Sequence, residues 1–408
     1  MRLTYSTRRL VGSLAVVAAL AASTGLAVAA AAPSAPADRS APGANKTASA
    51  GPGDVVSAEP FTAYADPGKV TTLPAKAWKV HYRSTSATGG AIEVSGALLV
   101  PTAAWDGDGP RPVIGYSVGT HGMGDQCAPS NYLADGRENE AGVMRTLLQS
   151  GWAVAVTDYQ NLGTPGTHTY AVGRAEGHAV LDMVRAATKV DGAGLATDAP
   201  VGLWGYSQGG QSTAWGAQLA ASYAPELRVK GAAPGGVPAD LPRIRDFVDG
   251  GPFSGLVLMA GVGYDAAYPE LNLDSYLTAA GKAAVADIKD DCVAEATSKY
   301  AFRRIADYTT TDPTRTEAWK ARFNANRLGG AAKPSAPVYL YHGLADELVP
   351  YDQAAQLRKE WCGNGADVEW TTYPGEHVTA YIEAVPLAVE WMRGRFAGQD
   401  APNNCSLP

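Results

Sequence analysis

The stretch VGLWGYSQGG, residues 201–210, contains the pattern Gly-x-Ser-x-Gly centred on Ser207. Its first half is apolar and typical of a buried strand, and a helical pattern runs over residues 208–223. In such a strand-turn-helix unit the serine lies on a strained turn, and glycines are needed on both sides because backbone there approaches backbone. The stretch therefore predicts that Ser207 is a nucleophile, with a tight structural turn and an idle hydroxyl as the alternative.

A second serine fits the same pattern, because residues 115–119 read GYSVG and place Ser117 at the centre. After Ser117 the chain continues with the glycine-rich residues 120–125, THGMGD, and no helical pattern begins there. Since the pattern requires a helix directly after the serine, Ser207 is the favoured nucleophile and Ser117 is its rival.

A serine hydroxyl is a weak nucleophile and needs a base, which comes last in the chain order serine, acid, histidine. The chain has six histidines, and four of them precede Ser207. His342 lies at the end of a predicted strand, where a structural role is more natural. His377 follows the next predicted strand and is therefore the predicted base.

The histidine in turn needs an acid that orients it. Asp346 lies in a loop after a predicted strand, so it reaches the same carboxyl edge of the sheet as Ser207 and His377. Asp346 is therefore the predicted acid, with Glu347 and Asp352 as alternatives.

The tetrahedral oxyanion formed by nucleophilic attack requires preorganised backbone N–H donors. One donor comes from the residue after the nucleophile, which is Gln208. The second should come from the loop after an early strand, where Thr120 is favoured and His121 and Gly122 are close alternatives. An ordinary glycine-rich turn is the alternative to any role for this loop.

The arrangement of apolar runs along the chain predicts the fold class. Short β-branched or aromatic runs predict strands at residues 92–100, 112–118, 152–157, 201–206, 337–341 and 368–373. Helical patterns lie between most of them, at residues 138–149, 176–188, 208–223, 354–361 and 379–395. Alternation of this kind predicts an α/β protein with a mostly parallel central sheet and helices on both faces.

Residues 240–333 interrupt this alternation, since they contain several helix-like pieces and no convincing strand. We interpret them as an insertion, in the form of a mainly helical cap. Residues 253–262 are unusually apolar for a surface insertion, so they either line a pocket or form an ordinary helix that faces the core.

Composition excludes several classes of protein. Of the 408 residues, 46% are hydrophobic and 18% are charged, so the chain can bury a large core and is not compositionally disordered. The formal net charge is -7 and the basic residues are scattered, which argues against nucleic acid as a partner. The one long apolar run lies at the N-terminus, which excludes a multi-spanning membrane protein.

The N-terminus predicts export. Three arginines precede an apolar run and small residues that offer a cleavage site, so residues 1–32 are predicted to be a secretory signal peptide, with an uncleaved anchor helix as the alternative. Residues 33–55 are rich in Ala, Pro and Gly and predict a flexible leader. The mature protein is therefore expected to be secreted, extracellular and without an integral membrane segment.

Four cysteines remain after export, namely Cys127, Cys292, Cys362 and Cys405. Their even number and an oxidising compartment favour disulfides, although three pairings are open. No Cys-x-x-Cys spacing or Cys/His cluster is present, so no metal site is expected.

Together these residues resemble the microbial secretory lipases of the α/β-hydrolase superfamily. The resemblance covers about residues 60–405 and includes the loops that hold Asp346 and His377. Its other motifs are GT at 119–120, GDQCAPS at 124–130, DY at 158–159 followed by Gly163, AVLDMVRAA at 179–187 and GYSQGG at 205–210. One departure is Val118, because such loops often carry histidine at this position.

The resemblance implies an α/β-hydrolase fold with a lid-like insertion between the Ser and Asp segments, hydrolysis of lipid-type esters and no cofactor. With the boundaries above, the catalytic domain is expected at residues 56–239 and 334–408, and the cap at residues 240–333. The resemblance also implies that Cys127 pairs with Cys292 and Cys362 with Cys405.

We therefore expect a secreted serine ester hydrolase, either a lipase or a carboxylesterase, that works through an acyl-enzyme. Its substrate would be a small-molecule or lipid ester, with transient contact to a lipid interface. A serine exopeptidase on the same fold and an inactive hydrolase-fold binding protein are the alternatives.

Overall fold

A computed structural model describes residues 51–406 of the chain. The predicted signal peptide and all but the last five residues of the predicted leader lie outside the described residues. The strands of the described part are β1 Val55–Phe61, β2 Ala75–Thr85, β3 Ala91–Pro101, β4 Val113–Ser117, β5 Ala153–Thr157, β6 Pro200–Tyr206, β7 Arg228–Gly235, β8 Val338–Gly343 and β9 Val368–Tyr373.

These strands form one sheet in the order β1-β2-β3-β5-β4-β6-β7-β8-β9. The pairs β1·β2, β2·β3 and β3·β5 are antiparallel, and every pair from β5 to β9 is parallel. Strands β4, β5 and β8 are buried along their whole length, as expected for parallel strands covered on both faces. The predicted mostly parallel sheet is confirmed.

Helices cover both faces of this sheet. Six of those described lie outside the interval between β7 and β8: α1 Pro129–Asp135, α2 Ala141–Gln149, α3 Gly173–Ala187, α4 Gln208–Tyr223, α11 Tyr351–Gly363 and α12 His377–Phe396. One apolar cluster joins the sheet to α3, α4 and α11, and a second joins the opposite face to α2 and α12. The α/β architecture therefore has a separate apolar layer on each face of the sheet, between the sheet and its covering helices.

The interval between β7 and β8 is helical in the described structure. It contains α5 Leu241–Val248, α6 Gly255–Ala267, α7 Ala279–Ile288, α8 Val293–Lys299, α9 Ile305–Tyr308 and α10 Glu317–Ala325. Its apolar residues, among them Met259 and Trp319, form a third cluster that includes Tyr170 and Val172 from the segment before α3. These helices therefore have their own core, which continues into the sheet-bearing part of the chain.

Two disulfides join distant segments. Cys127 is bonded to Cys292 at the start of α8, across 165 residues. Cys362 in α11 is bonded to Cys405 near the C-terminus. This is the pairing that the family resemblance implies. No helix in the described range 51–406 is long and apolar enough to cross a membrane.

Candidate active site

Ser207 lies on the sharp turn between β6 and α4. Its backbone has φ 59° and ψ -124°, a strained conformation for a residue with a side chain. The neighbouring glycines are required by contact, because a Cβ on Gly209 would lie 2.0 Å from the carbonyl oxygen of Ser117 and one on Gly205 would lie 2.4 Å from that of Gly209. The Ser207 N–H donates to the Gly235 carbonyl at 3.0 Å, which anchors the turn to β7.

Ser117, the rival nucleophile, is placed differently. It is the last residue of β4, is fully buried and shares a 2.9 Å hydrogen bond with the hydroxyl of Ser212. Its carbonyl oxygen lies directly against Gly209 of the turn. Ser117 therefore packs beneath the turn that carries Ser207.

His377 and Asp346 are in direct contact. The imidazole Nδ1–H of His377 donates to Oδ2 of Asp346 at 2.7 Å, and both residues are buried. His377 is the first residue of α12, and Asp346 lies in the loop after β8. The imidazole also lies 4.9 Å from the ring of Tyr206, the residue directly before Ser207, measured between ring centroids. The three predicted residues are therefore brought to one edge of the sheet.

The surroundings of Asp346 favour its charged form. Oδ1 accepts the backbone N–H groups of Leu348 and Val349 at 2.9 and 2.8 Å. Burial, the largest influence, raises the pKa of Asp346, but the hydrogen bond from His377 and the charges of His377 and His342 lower it below its ordinary value. An ionised Asp346 can therefore hold His377 in one orientation and stabilise its protonated form.

The alternative acids make other contacts. Glu347 accepts the backbone N–H of His377 at 3.0 Å, whereas the imidazole is bound to Asp346. Asp352 is exposed and forms an ion pair with Arg243.

His342, the other late histidine, is buried beside the acid. Its Nε2–H donates to the Val349 carbonyl at 2.8 Å and lies 3.4 Å from Oδ2 of Asp346. Burial lowers the pKa of His342 below its ordinary value, although the charge of Asp346 opposes this shift. Its contacts support the loop that carries the acid.

In the described part of the chain, Ser207 Oγ and His377 Nε2 do not form a hydrogen bond with each other. Such a bond is commonly long in the absence of substrate and shortens when the substrate binds. Leu348 and Val349, whose N–H groups hold Asp346, line the same cavity as Ser207. The loop of the acid and the turn of the serine therefore share one cavity wall.

The two predicted oxyanion donors flank the turn. Gln208 begins α4, so its N–H has no acceptor within the helix and lies at the positive end of the helix dipole. On the other side, a Cβ on Gly119 would lie 3.9 Å from Cβ of Ser207, so the loop that continues into Thr120 passes beside the nucleophile. The N–H of Gln208 and the loop that leads to Thr120 therefore lie close to Ser207.

The alternatives His121 and Gly122 are engaged with the helical interval. The His121 carbonyl accepts the N–H of Val293 at 2.8 Å, and Gly122 forms a β-bridge with Cys292. The His121 ring bonds the Gly119 carbonyl and Oε2 of Glu138, both at 2.9 Å. Burial alone lowers the pKa of His121, but the charge and hydrogen bond of Glu138 outweigh it and raise the pKa to about 9.

A second buried acid, Glu140, holds the start of the same loop. It accepts the Gly119 N–H at 2.7 Å and the hydroxyls of Tyr116 and Tyr381 at 2.5 and 3.1 Å. Burial and the nearby charge of Glu138 raise the pKa of Glu140 to about 6. Sequence reasoning missed both acids, because nothing in the pattern of residues 138–140 indicates that they are buried.

Ser207 opens into a largely apolar cavity of about 120 Å³. Part of α6 lines it, including Leu256, Val257, Leu258 and Gly261, together with Trp319 and Phe323 of α10. Met259 and Val262, on the other face of α6, are buried in the core. Both interpretations of residues 253–262 are therefore correct, each for one face of the helix.

Metal ligation was not expected from the sequence. Within residues 51–406, no group of three or more His, Cys, Asp or Glu side chains is arranged so that it could hold a metal ion.

Comparison with known proteins gives one consistent family. The model of the family described as "Secretory lipase" matches residues 137–404. A secreted triacylglycerol lipase of Malassezia globosa is 31% identical over 378 residues, covering 88% of this chain and 79% of the relative. Lipase A of Moesziomyces aphidis is 28% identical over 355 residues, covering 82% and 75%.

Solved structures agree on the fold. Lipase A of Candida antarctica in its closed state superposes with a TM-score of 0.78 at 26% identity, covering 88% of this chain and 85% of that one. A putative hydrolase of Legionella pneumophila, at 19% identity, has a TM-score of 0.70 and shows the same fold. The similarity in fold thus extends over most of both chains.

Proposed function

The chain belongs to the secretory lipase family, whose fold and ester-hydrolase chemistry it shares, and from this premise we propose that Ser207, His377 and Asp346 are its catalytic triad. The observation that carries the proposal is the 2.7 Å bond between His377 and Asp346 at the sheet edge where Ser207 opens into the cavity. Neither the comparisons nor the described residues support an exopeptidase or an inactive binding protein.

The proposed reaction proceeds in two halves. Ser207 Oγ attacks the ester carbonyl carbon while His377 Nε2 takes the hydroxyl proton, and the carbonyl oxygen becomes an oxyanion. The intermediate then expels the alcohol, which takes that proton from His377, and leaves an acyl group on Ser207. Water, activated by His377 in the same way, attacks this acyl-enzyme and releases the acid.

Fixed groups of the protein stabilise the charges that develop in the transition state. The N–H groups of Gln208 and Thr120 are the proposed donors to the oxyanion, each worth about 3 kcal/mol in comparable sites. Asp346 stabilises the imidazolium of His377 that forms as Ser207 loses its proton. The chemistry is complete with protein side chains, backbone and water.

The cavity supports an ester with an apolar acyl or alkyl chain as the substrate. Its lining from α6 and α10 is mostly hydrocarbon and aromatic, which lowers the free energy of a buried chain by about 0.8 kcal/mol for each CH₂ group. The named relative from Malassezia is a triacylglycerol lipase, and a lipid-type ester fits the same lining.

We also propose the domain division. Residues 56–239 and 334–408 would form the catalytic domain, and residues 240–333 a cap over Ser207. Three contacts support the cap, namely the lining by α6, the Cys127–Cys292 disulfide and the pairing of residues 121–123 with residues 291–293. We also propose secretion through residues 1–32, which is supported by Malassezia relatives that are named secreted lipases.

Two exposed phenylalanines support contact with a lipid interface. Phe247 is 52% and Phe302 is 69% exposed, and each neighbours residues that line the cavity, such as Val248 and Arg303. The Phe302 N–H donates to the Gly251 carbonyl at 2.8 Å, which brings the two segments together. Replacing Phe247 and Phe302 together by serine should slow the hydrolysis of emulsified tributyrin but not that of dissolved p-nitrophenyl butyrate. An equal effect on the two substrates would contradict contact with a lipid interface.

A fluorophosphonate tests the triad chemically. It should form one covalent adduct, located by peptide mass spectrometry on Ser207, and the adduct should be absent from Ser207→Ala. Labelling of a different serine, or none under conditions where esters are hydrolysed, would contradict the assignment.

A further inference from the structure

The two proposed oxyanion donors come from different parts of the chain, yet their side chains contact one short segment. Thr120 lies in the loop after β4, and Gln208 begins α4. Residues 168–176, which lead into and start α3, contact both of them. This inference rests on the proposed function, because it concerns how the two donors keep their spacing.

The first contact holds Thr120. Its hydroxyl lies 2.9 Å from the hydroxyl of Tyr170, and Tyr170 is 7% exposed. The backbone of Tyr170 is itself packed against α6, since a Cβ on Gly263 would lie 2.5 Å from the Tyr170 N and O atoms. Tyr170 therefore offers Thr120 a fixed partner.

The second contact holds Gln208. Its Nε2 donates to Oε1 of Glu176 at 2.9 Å, and the same oxygen accepts the N–H of Ala171 at 3.1 Å. Ala171 has φ 60°, so this bond also secures a strained residue directly after Tyr170. Nε2 of Gln208 also lies 3.4 Å from Nε2 of His168, whose Nδ1–H donates to the Gln160 carbonyl at 2.8 Å.

The buried acid suits a position close to a developing negative charge. Glu176 is 1% exposed, and burial raises its pKa to about 8, so it is mostly neutral at pH 7. A neutral carboxyl accepts hydrogen bonds without adding a full negative charge behind the oxyanion. His168 is neutral as well, because burial lowers its pKa to about 4.

We propose that residues 170–176 form an oxyanion clamp, in which Tyr170 and Glu176 are positioning residues that set the spacing of the Thr120 and Gln208 N–H donors. Tyr170 lines the cavity with Ser207, whereas Glu176 does not, and both act through the side chains of Thr120 and Gln208. The clamp matters because a preorganised donor stabilises the transition state only if it is already in place, and a shift of about 1 Å can cost about 100-fold in rate.

The test compares Tyr170→Phe and Glu176→Leu, which remove the contacts, with Glu176→Gln, whose amide oxygen can still accept both N–H groups. Tyr82→Phe is the matched control, because the Tyr82 hydroxyl is also buried and bonds Ala179 of α3 but lies away from the cavity. For each protein one measures kcat and KM for p-nitrophenyl butyrate, the inhibition constant of a trifluoromethyl ketone, and the melting temperature.

The clamp predicts that Tyr170→Phe and Glu176→Leu lower kcat by about 10- to 100-fold, while KM changes less than about twofold. The inhibition constant of the ketone should rise by a factor similar to the loss in kcat. The ketone reports the oxyanion site, since Ser207 adds to it to form a hemiketal oxyanion. Glu176→Gln should recover activity to within about threefold of wild type. Tyr82→Phe should leave kcat and ketone binding unchanged.

Unchanged kcat and ketone binding in folded Tyr170→Phe and Glu176→Leu would overturn the clamp, as would a loss confined to KM. If Glu176→Leu does not fold, Tyr170→Phe alone decides, because it removes a single hydroxyl. Failure of the proposed function is distinct from this outcome. In that case wild type hydrolyses no ester or Ser207→Ala keeps its activity, and the clamp fails with it.

Discussion

The imidazole of His377 is bound through Nδ1 to Oδ2 of Asp346 at 2.7 Å, although 31 residues separate them. The neighbouring carboxylate, Glu347, binds the backbone N–H of the same histidine at 3.0 Å. Two adjacent acids thus hold His377 by different groups, and only Asp346 contacts the ring. This arrangement lets mutation separate the acid that orients the imidazole from the acid that holds the backbone.

Asp346→Asn should lower kcat by about 10³- to 10⁴-fold, because an amide can neither fix the required tautomer of His377 nor stabilise its protonated form. Glu347→Gln keeps an acceptor for the backbone N–H and should cost less than about tenfold. Steady-state kinetics with p-nitrophenyl butyrate provide the comparison. A larger loss for Glu347→Gln than for Asp346→Asn would transfer the orienting role to Glu347.

Gly261→Leu should shift the preference of the enzyme towards short acyl chains. Gly261 lines the cavity, and a Cβ there would meet no atom within 4 Å, so a larger side chain can fold into the space that a substrate chain would occupy. We expect the ratio of kcat/KM for palmitoyl to acetyl p-nitrophenyl esters to fall at least about tenfold.

Gly142→Leu is the matched control for this cavity test. Gly142 also has no atom within 4 Å of an added Cβ, but it is exposed on α2 and does not line the cavity. An unchanged chain-length ratio in Gly261→Leu, or an equal change in Gly142→Leu, would show that the cavity does not hold the acyl chain.

The buried pair of His121 and Glu138 should make stability depend on pH. Because its contacts with Glu138 raise the folded-state pKa of His121 from 6.5 to about 9, the pair contributes stability that is fully present below pH 6.5 and is lost as pH rises through 9. Glu140, which also faces this ring, and Tyr132, whose ring lies tilted against it, remain in His121→Gln.

Urea denaturation of wild type and His121→Gln between pH 6 and 10 measures this contribution. The difference in free energy of unfolding between the two proteins should be largest at pH 6 and should shrink as pH approaches 10. A difference that is constant over this range would mean that His121 is not protonated in the folded state.

Much of the fold follows from local sequence pattern, and the exceptions have physical reasons. The six predicted strands correspond to β3, β4, β5, β6, β8 and β9, because buried strands are rich in large apolar side chains. β7 was missed because its sequence, RVKGAAPG, has mainly small residues that pack under large neighbours, such as Tyr341 against Gly235. β1 and β2, at one end of the sheet, were missed because Glu59 and Pro60 interrupt the apolar pattern of the edge strand β1, and charged and polar residues are interspersed along β2.

The candidate site divides in the same way. Ser207, Asp346 and His377 could be found because each follows a recognisable strand, and parallel strands bring their carboxyl ends to one edge. Tyr170, Glu176 and Glu140 could not be found, because their importance comes from burial and from partners far away in the chain. Glu176, for example, lies in α3 between Ala175 and Gly177, and only the packing of α3 against α4 places it beside Gln208.

The central claim is that Ser207 is the nucleophile, and hydrolysis of p-nitrophenyl esters from acetyl to palmitoyl tests it most directly. Wild type and Ser117→Ala should hydrolyse them, while Ser207→Ala should lose about 10⁴-fold or more in kcat and keep its melting temperature. Retained hydrolysis in folded Ser207→Ala, or loss of activity in folded Ser117→Ala alone, would contradict the account.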